Sequence, residues 1–449
     1  MQPTSVVKEQ SMKVVQLAKD EQSVTLEVTA TEQEVNRAFE VAEINFCQAM
    51  GVRMDPQKTL AQSAAEQMGI SNLDMLVNQQ AVDALVPMAI DKHGVYPAFM
   101  PSIENADLVM RGKPFKFTVN VIVKPEFELA SYDPVSISVF PYDGDEATVE
   151  QQLHQMLVNR AEFVDVEEDR PLVNGDAAFL SLVCKQDGNE IKPLTTEGRT
   201  YVLGSGGMPA TFEQNVIGMK KGETKTFTFE APRYDGSSDK IEPYEATVGV
   251  ISIQKEIVPE LTDEWVAQNS SDYKTVADLR EALTKEVHRV RRAQYDDYVR
   301  NVASVELSKR FMGHIPDEVF EGTRTKITND LRQQVSSQGI RWEEFVSRNG
   351  GEEQVERNIF MQTRQSLVQC YALDAIFRTQ GLKVTEQDIK DVCEQINPQL
   401  PDEARKMMGE QGYGFSLRES AERYCASKWV VEHAQITYKN PETQEEQAE

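Results

Sequence analysis

"GKPFKFTVNVIVKPEFELASYD", residues 112–133, decides how the chain divides. Phe115 to Val123 reads as a β-strand rich in Phe, Val and Ile, and it closes everything before it into one unit. Upstream, "KVVQLAKDEQSVTLEVT" at 13–29 alternates as two strands would, with Asp20 and Glu21 at the turn. A helix then opens at "TEQE", where Thr31 can cap and Glu34 can reach back as a capping box. Its apolar face runs through Val35, Phe39, Ala42 and Phe46. A second helical stretch carries Leu73, Leu76, Val77, Val82 and Leu85. The expectation for 1–124 is a compact α+β unit. Between its helices lies a loop, "QAMGVRMDPQK" at 48–58.

Downstream of the strand, "YDPVSISVF" and the helix "VEQQLHQMLVNRAEF" read as a connector, 125–173. The helical stripe Val149, Leu153, Met156 and Leu157 must dock on another element. From 174 to 256 the pattern changes to short alternating strands with glycine turns, including the hairpin signal Asp187-Gly188, so a small β-rich domain is expected. Beyond "PELTDEW" the pattern is helical: Leu279, Leu283, Val287 and Val290 mark one face, and Thr275, Thr385 and Ser416 stand at helix-start signals. The fold class is therefore multidomain α+β, with a large all-α region at 257–449.

Composition excludes several function classes. With a net charge of -26 over 449 residues, the chain is short of the Lys/Arg footprint that phosphate contacts need, so no DNA partner is expected. Nowhere do 18 consecutive apolar residues occur, and the start lacks an apolar targeting segment; no membrane partner and a cytoplasmic location are expected. The five cysteines and five histidines are scattered without ligand spacing, so no metal is expected. No nucleophile elbow and no nucleotide-binding loop occurs, and "GSGG" at 204–207 reads as a turn. No cofactor is implied.

This order of regions, with particular strings, resembles the bacterial trigger factor family over essentially the whole chain. The carriers are residues 112–133 quoted above, "FEQNVIGMKKGE" at 212–223, "PELTDEW" at 259–265, "IPDEVFE" at 315–321, "LDAIFRTQGLKVTEQDI" at 373–389 and "ASKWVVEHAQIT" at 426–437. The resemblance implies an N-terminal ribosome-binding-type domain, a small FKBP-like prolyl isomerase domain and a helical chaperone domain. It also implies an ATP-independent chaperone that meets nascent or unfolded polypeptides near the ribosomal exit tunnel.

In that family the docking loop reads approximately G-F-R-x-G-K-x-P. Here Gly51 and Arg53 match, Val52 stands for the aromatic, Asp55 for the second glycine, Pro56 for the lysine, and Lys58 where the proline falls. Across 37–58, Arg37, Arg53 and Lys58 offset Glu40, Glu43 and Asp55, and a neutral tip loses the attraction an RNA-rich surface would reward. The ribosome-binding residues implied are Gly51, Val52 and Arg53, with a weak contact or none.

Prolyl isomerisation faces a barrier of ~20 kcal/mol from amide resonance, and an apolar pocket favouring the twisted amide suffices to catalyse it. The positions similar to the isomerase pocket are Leu182, Ile191, Met208, Pro209, Phe212, Tyr234 and Val248. Three of them are aliphatic where aromatics are usual, so weak or vestigial activity is implied and a plain barrel core is an equal reading. The helical region would form a cradle, and sixteen methionines, Met407 and Met408 among them, suit adaptable surfaces. Alternative readings are a prolyl isomerase acting mainly as an enzyme and a non-ribosomal assembly chaperone.

Overall fold

A computed structural model describes residues 11–440 apart from 54, 56, 102, 104–107, 167–169, 187 and 233–240. Its contacts divide the chain into two units: Met1–Pro141 together with Tyr295–Glu449, and Tyr142–Gln294.

The first unit begins with β1 (Lys13–Lys19), β2 (Ser23–Ala30), α1 (Glu32–Ala49), α2 (Leu60–Met68), α3 (Leu73–Leu76), α4 (Asn78–His93), β3 (Phe115–Ile122), β4 (Glu128–Leu129) and β5 (Ser136–Val139). An antiparallel sheet in the order β1-β2-β3 forms because both partners of the central pair alternate. Val24, Leu26, Val28 and Ala30 of β2, with Phe117, Val119 and Val121 of β3, turn to one face and bury against α1 and α4. Each of the Val, Leu and Phe side chains among them contributes about 1.5–3 kcal/mol by leaving water. The expected turn is present: the Asp20 carboxylate accepts from the N–H groups of Gln22 and Ser23. The capping box of Thr31 and Glu34 also forms. The single helical stretch expected over 73–85 is instead two helices sharing Val77 as a cap, and Leu76 is exposed. The Asn78 amide explains the break, since it holds the backbone of Val109 in both directions and ties the start of α4 to the loop before β3.

The second unit holds α5 (Glu146–Val158), β6 (Glu162–Asp165), β7 (Ala177–Gln186), β8 (Asn189–Glu190), β9 (Thr196–Val202), α6 (Ala210–Val216), β10 (Thr224–Pro232), β11 (Ile241–Ile257), α7 (Asp263–Asn269) and the start of α8 (Val276–Ser308). One antiparallel sheet runs β10-β11-β7-β8, with β9 also on β7 and β6 on β11. β7 and β8 pair across Gly188, whose φ of 81° only glycine adopts freely; Asp187, the other half of that turn signal, lies outside the described residues. The stripe on α5 does find a partner: Val149 and Leu153 pack on Val266, Leu279 and Val287. Met156, counted in that stripe, is exposed, as is Val290 on α8.

The first unit is completed by the end of α8 and by β12 (Phe311–Met312), α9 (Asp317–Ser337), α10 (Trp342–Arg348), α11 (Glu352–Thr379), α12 (Glu386–Ile396), α13 (Pro401–Glu410), α14 (Gly414–His433) and β13 (Gln435–Tyr438). Small residues help α11 and α14 pack closely, and Ala303 of α8 is buried in the same cluster as Ala372, Ala375 and Ala426. The expected connector contributes to both units. Its first part is built into this helical core, through Ile137 and Val139 and through pairing of β4 with β12 and β5 with β13. Thr275 and Thr385 cap their helices as the sequence indicates. Ser416 does not cap, because α14 already begins at Gly414. The turn before α14 lies flat on α4: a Cβ at Gly412 would stand 2.3 Å from the Met88 nitrogen, and the φ of 81° there is a second reason for glycine.

Candidate functional site

The loop after α1 is set by how the helix ends. Gly51 takes φ 67° and its N–H donates to the Gln48 carbonyl at 3.1 Å, while the Val52 N–H donates to the Cys47 carbonyl at 2.9 Å. This pair of bonds closes a helix with a left-handed glycine and places the next side chain inward. Val52, expected at the presented tip, is accordingly 7% exposed and shares the core with Cys47. Arg53 is the side chain left outward, and among the described residues none pairs with its guanidinium. The other loop cation is occupied: Lys58 meets Glu66 at 2.5 Å and Asp55 at 3.8 Å. Two further charges in the neutral count are also paired. Arg37 bonds Glu410 at 2.7 Å, and Glu43 bonds Arg111 at 2.8 Å, with burial holding its carboxyl above the usual range.

The isomerase-like positions do come together. Leu182, Ile191, Phe212 and Val248 are buried in one cluster, with Met208 packed at its edge and Pro209 preceding α6; Tyr234 lies outside the described residues. Phe212, 0% exposed, meets Phe227 and Phe229 edge-on with ring centroids 5.4 Å apart in both cases, and Phe229 stacks on Tyr244 at 5.5 Å. These rings are interlocked as a barrel core is. Phe227, Phe229 and Tyr244 were missed in the sequence, although Phe227 and Phe229, two apart on β10, give a period-two signal for one face.

Methionine placement is the third feature. Of the fourteen described methionines nine are exposed: Met50, Met68, Met75, Met100, Met110, Met156, Met312, Met361 and Met407. Met361 reaches 61% exposure beside exposed Phe360, and Ile396, Leu400 and Met407 are exposed on the stretch from α12 to α13. Met408, by contrast, packs at the edge of the cluster around Val392.

No group of residues suited to a metal ion occurs among the described residues. All five thiols are free, and burial raises the pKa of each, which keeps them as unreactive thiols.

Residues 12–156 match the family model described as bacterial trigger factor protein, and residues 275–432 match the model of its C-terminus. The chain belongs to the trigger factor family. Between them the two matches span about two thirds of it and flank the β-rich domain. Among curated relatives, the trigger factor of Lysinibacillus sphaericus is 25% identical over 426 residues, 92% of this chain and 97% of that one. That of Pelotomaculum thermopropionicum is 26% identical over 370 residues, 80% of this chain and 83% of its own. A solved trigger factor chaperone, described for promiscuous substrate recognition in folding and assembly, covers 94% of this chain and 99% of its own length at 18% identity, with a TM-score of 0.38.

Proposed function

We propose that this member of the family is a folding chaperone that holds unfolded or nascent polypeptides without nucleotide, from a cytoplasmic position beside the ribosome. The observation that carries this reading is the exposure of nine of the fourteen described methionines, an inversion of their usual role as core filler. Their flexible, polarisable side chains suit a surface that meets many sequences. The charge of -26 opposes self-association of a molecule that displays so much apolar surface.

Ribosome docking in this reading rests on Arg53 and is weak. One exposed charge contact contributes roughly 1 kcal/mol or less, and salt screens it over ~8 Å at physiological strength. Isomerase activity is vestigial, because Phe212 is held by two other rings rather than offered to a substrate. The test is aggregation of a chemically denatured client diluted into buffer with and without ATP. Equal suppression in both supports the proposal, and an ATP requirement refutes it. A proline-tetrapeptide assay distinguishes the enzymatic alternative: fast turnover would make isomerisation the main activity.

A further inference from the structure

The backbone of Arg53 is gripped from α2. Its N–H donates to the Gln67 side-chain oxygen at 2.9 Å, and its carbonyl accepts from the Gln67 amide nitrogen at 2.8 Å. A side-chain amide carries one acceptor and one donor group at the spacing of a peptide unit, so Gln67 meets Arg53 as a neighbouring strand would. The residue before Arg53 is fixed independently, by the glycine closure of α1 and by burial of Val52. Arg53 is thus held at its own backbone and through its neighbour, while its guanidinium faces solvent. The preceding residue on the same helix, Glu66, takes Lys58 out of play.

We infer that Gln67 is the positioning residue of the Arg53 loop and that Glu66 sets its strength by sequestering Lys58, so that the loop presents one cation where it holds two. This rests on the docking reading above. A pre-set backbone leaves less freedom to lose on contact with an anionic surface, which is how a lone arginine retains measurable binding. Freed from Glu66, Lys58 would add a second cation for the same surface.

The test uses the full chain in two measurements: co-sedimentation with purified bacterial ribosomes at low salt, and hydrogen exchange of a peptide covering 50–59. Arg53→Ala is expected to weaken sedimentation about fivefold, the equivalent of one exposed charge contact. Gln67→Ala is expected to weaken it about threefold and to accelerate exchange in the peptide, with the melting temperature unchanged. Glu66→Gln is expected to strengthen sedimentation about threefold, and Lys58→Ala added to it should abolish that gain. If Arg53→Ala weakens binding but Gln67→Ala alters neither sedimentation nor exchange, docking stands and the positioning role is overturned. A gain from Glu66→Gln that survives Lys58→Ala overturns the sequestration of Lys58. If wild type and Glu66→Gln both fail to sediment, or sediment indifferently to Arg53→Ala, the docking reading falls and the inference falls with it.

Discussion

In the β-rich part of the second unit the core is almost wholly apolar, with Phe212, Phe229, Val248, Val250 and Ile253 buried in one cluster with Tyr244. In the first unit, where α14 meets the end of β3, charge does the joining. Lys124 bonds Asp374 of α11 at 3.2 Å and Glu419 of α14 at 2.9 Å, and Arg423 of α14 bonds the same two carboxylates at 3.0 and 2.8 Å. Two cations and two anions balance, with side-chain exposures between 13% and 23%. Burial works against the charge on Arg423, but the surrounding acids prevail and raise its pKa further. An apolar core tolerates loss in proportion to volume. A balanced ionic cluster tolerates loss of a member poorly, because what remains is a buried unpaired charge.

The comparison breaks most visibly at Phe212. Phe212→Ala leaves a cavity between Phe227 and Phe229, and the expected loss for the β-rich domain is about 3–5 kcal/mol. Denaturant melts of the full chain followed by tyrosine and tryptophan fluorescence would read it. A change under about 1 kcal/mol would mean that the ring lines a cleft after all, and would revive the isomerase pocket.

Arg423→Ala ranks next, at about 3 kcal/mol, since Asp374 and Glu419 would then share Lys124 alone. The contrast sharpens if Arg423→Ala is combined with Asp374→Asn, which removes one anion and should recover part of the loss. Equal damage from the double variant would show that packing of the arginine stem, rather than charge balance, is what the seam needs.

The same contrast explains what could be read in advance. Local rules were legible: the Asp20 turn, the capping boxes at Thr31 and Thr385, and the alternation in β2 and β3 each depend on residues within a few positions. The ionic cluster was not, because Lys124 lies 295 positions from Glu419, and no spacing rule joins a lysine after a strand to acids on two distant helices. The inward turn of Val52 was also legible, since a glycine just past a helix end followed by an aliphatic residue signals that closure. The gathering of Leu182, Ile191, Met208, Phe212 and Val248 was legible from resemblance. Their closure by Phe227, Phe229 and Tyr244 was not, because it depends on which strand lies beside β11.

A smaller effect is expected at the cap of α12. Thr385 accepts from the Asp388 N–H while the Asp388 carboxylate bonds back to Thr385, and Lys428 adds a contact at 3.0 Å. Thr385→Ala should cost about 1 kcal/mol. Burial works to raise the Asp388 pKa, but the bonds from Thr385 and Lys428 outweigh it and hold the carboxyl below its ordinary value. Its contribution is therefore complete above the unfolded carboxylate range and fades as pH falls through the lowered value. The variant should accordingly show a shallower acid limb than wild type, and matching limbs would detach the cap from Asp388.

The smallest effect lies at high pH, in the charged seam. Burial, followed by the bond from its hydroxyl to Glu422 at 2.9 Å, pushes Tyr96 up to about 12. Arg418, bonded to Asp91 at 2.8 Å, acts in the opposite direction, and the Lys124 ammonium lies 5.1 Å from the tyrosine ring centre. A raised phenol means that the folded chain holds its proton where the unfolded chain has lost it, so the contribution of Tyr96 is complete below about pH 10 and disappears as pH rises towards 12. Tyr96→Phe keeps the ring under Lys124 and removes the titration. At neutral pH it should cost roughly 1 kcal/mol, the net worth of one partly exposed hydrogen bond, and from pH 10 to 12 the gap to wild type should close. Burial also raises the phenols of Tyr371 and Tyr413, so the difference between the two stability curves is the quantity to measure. A constant gap across that range would show that the phenol of Tyr96 ionises as freely in the folded chain as in the unfolded one, and that the seam senses pH only through its carboxylates.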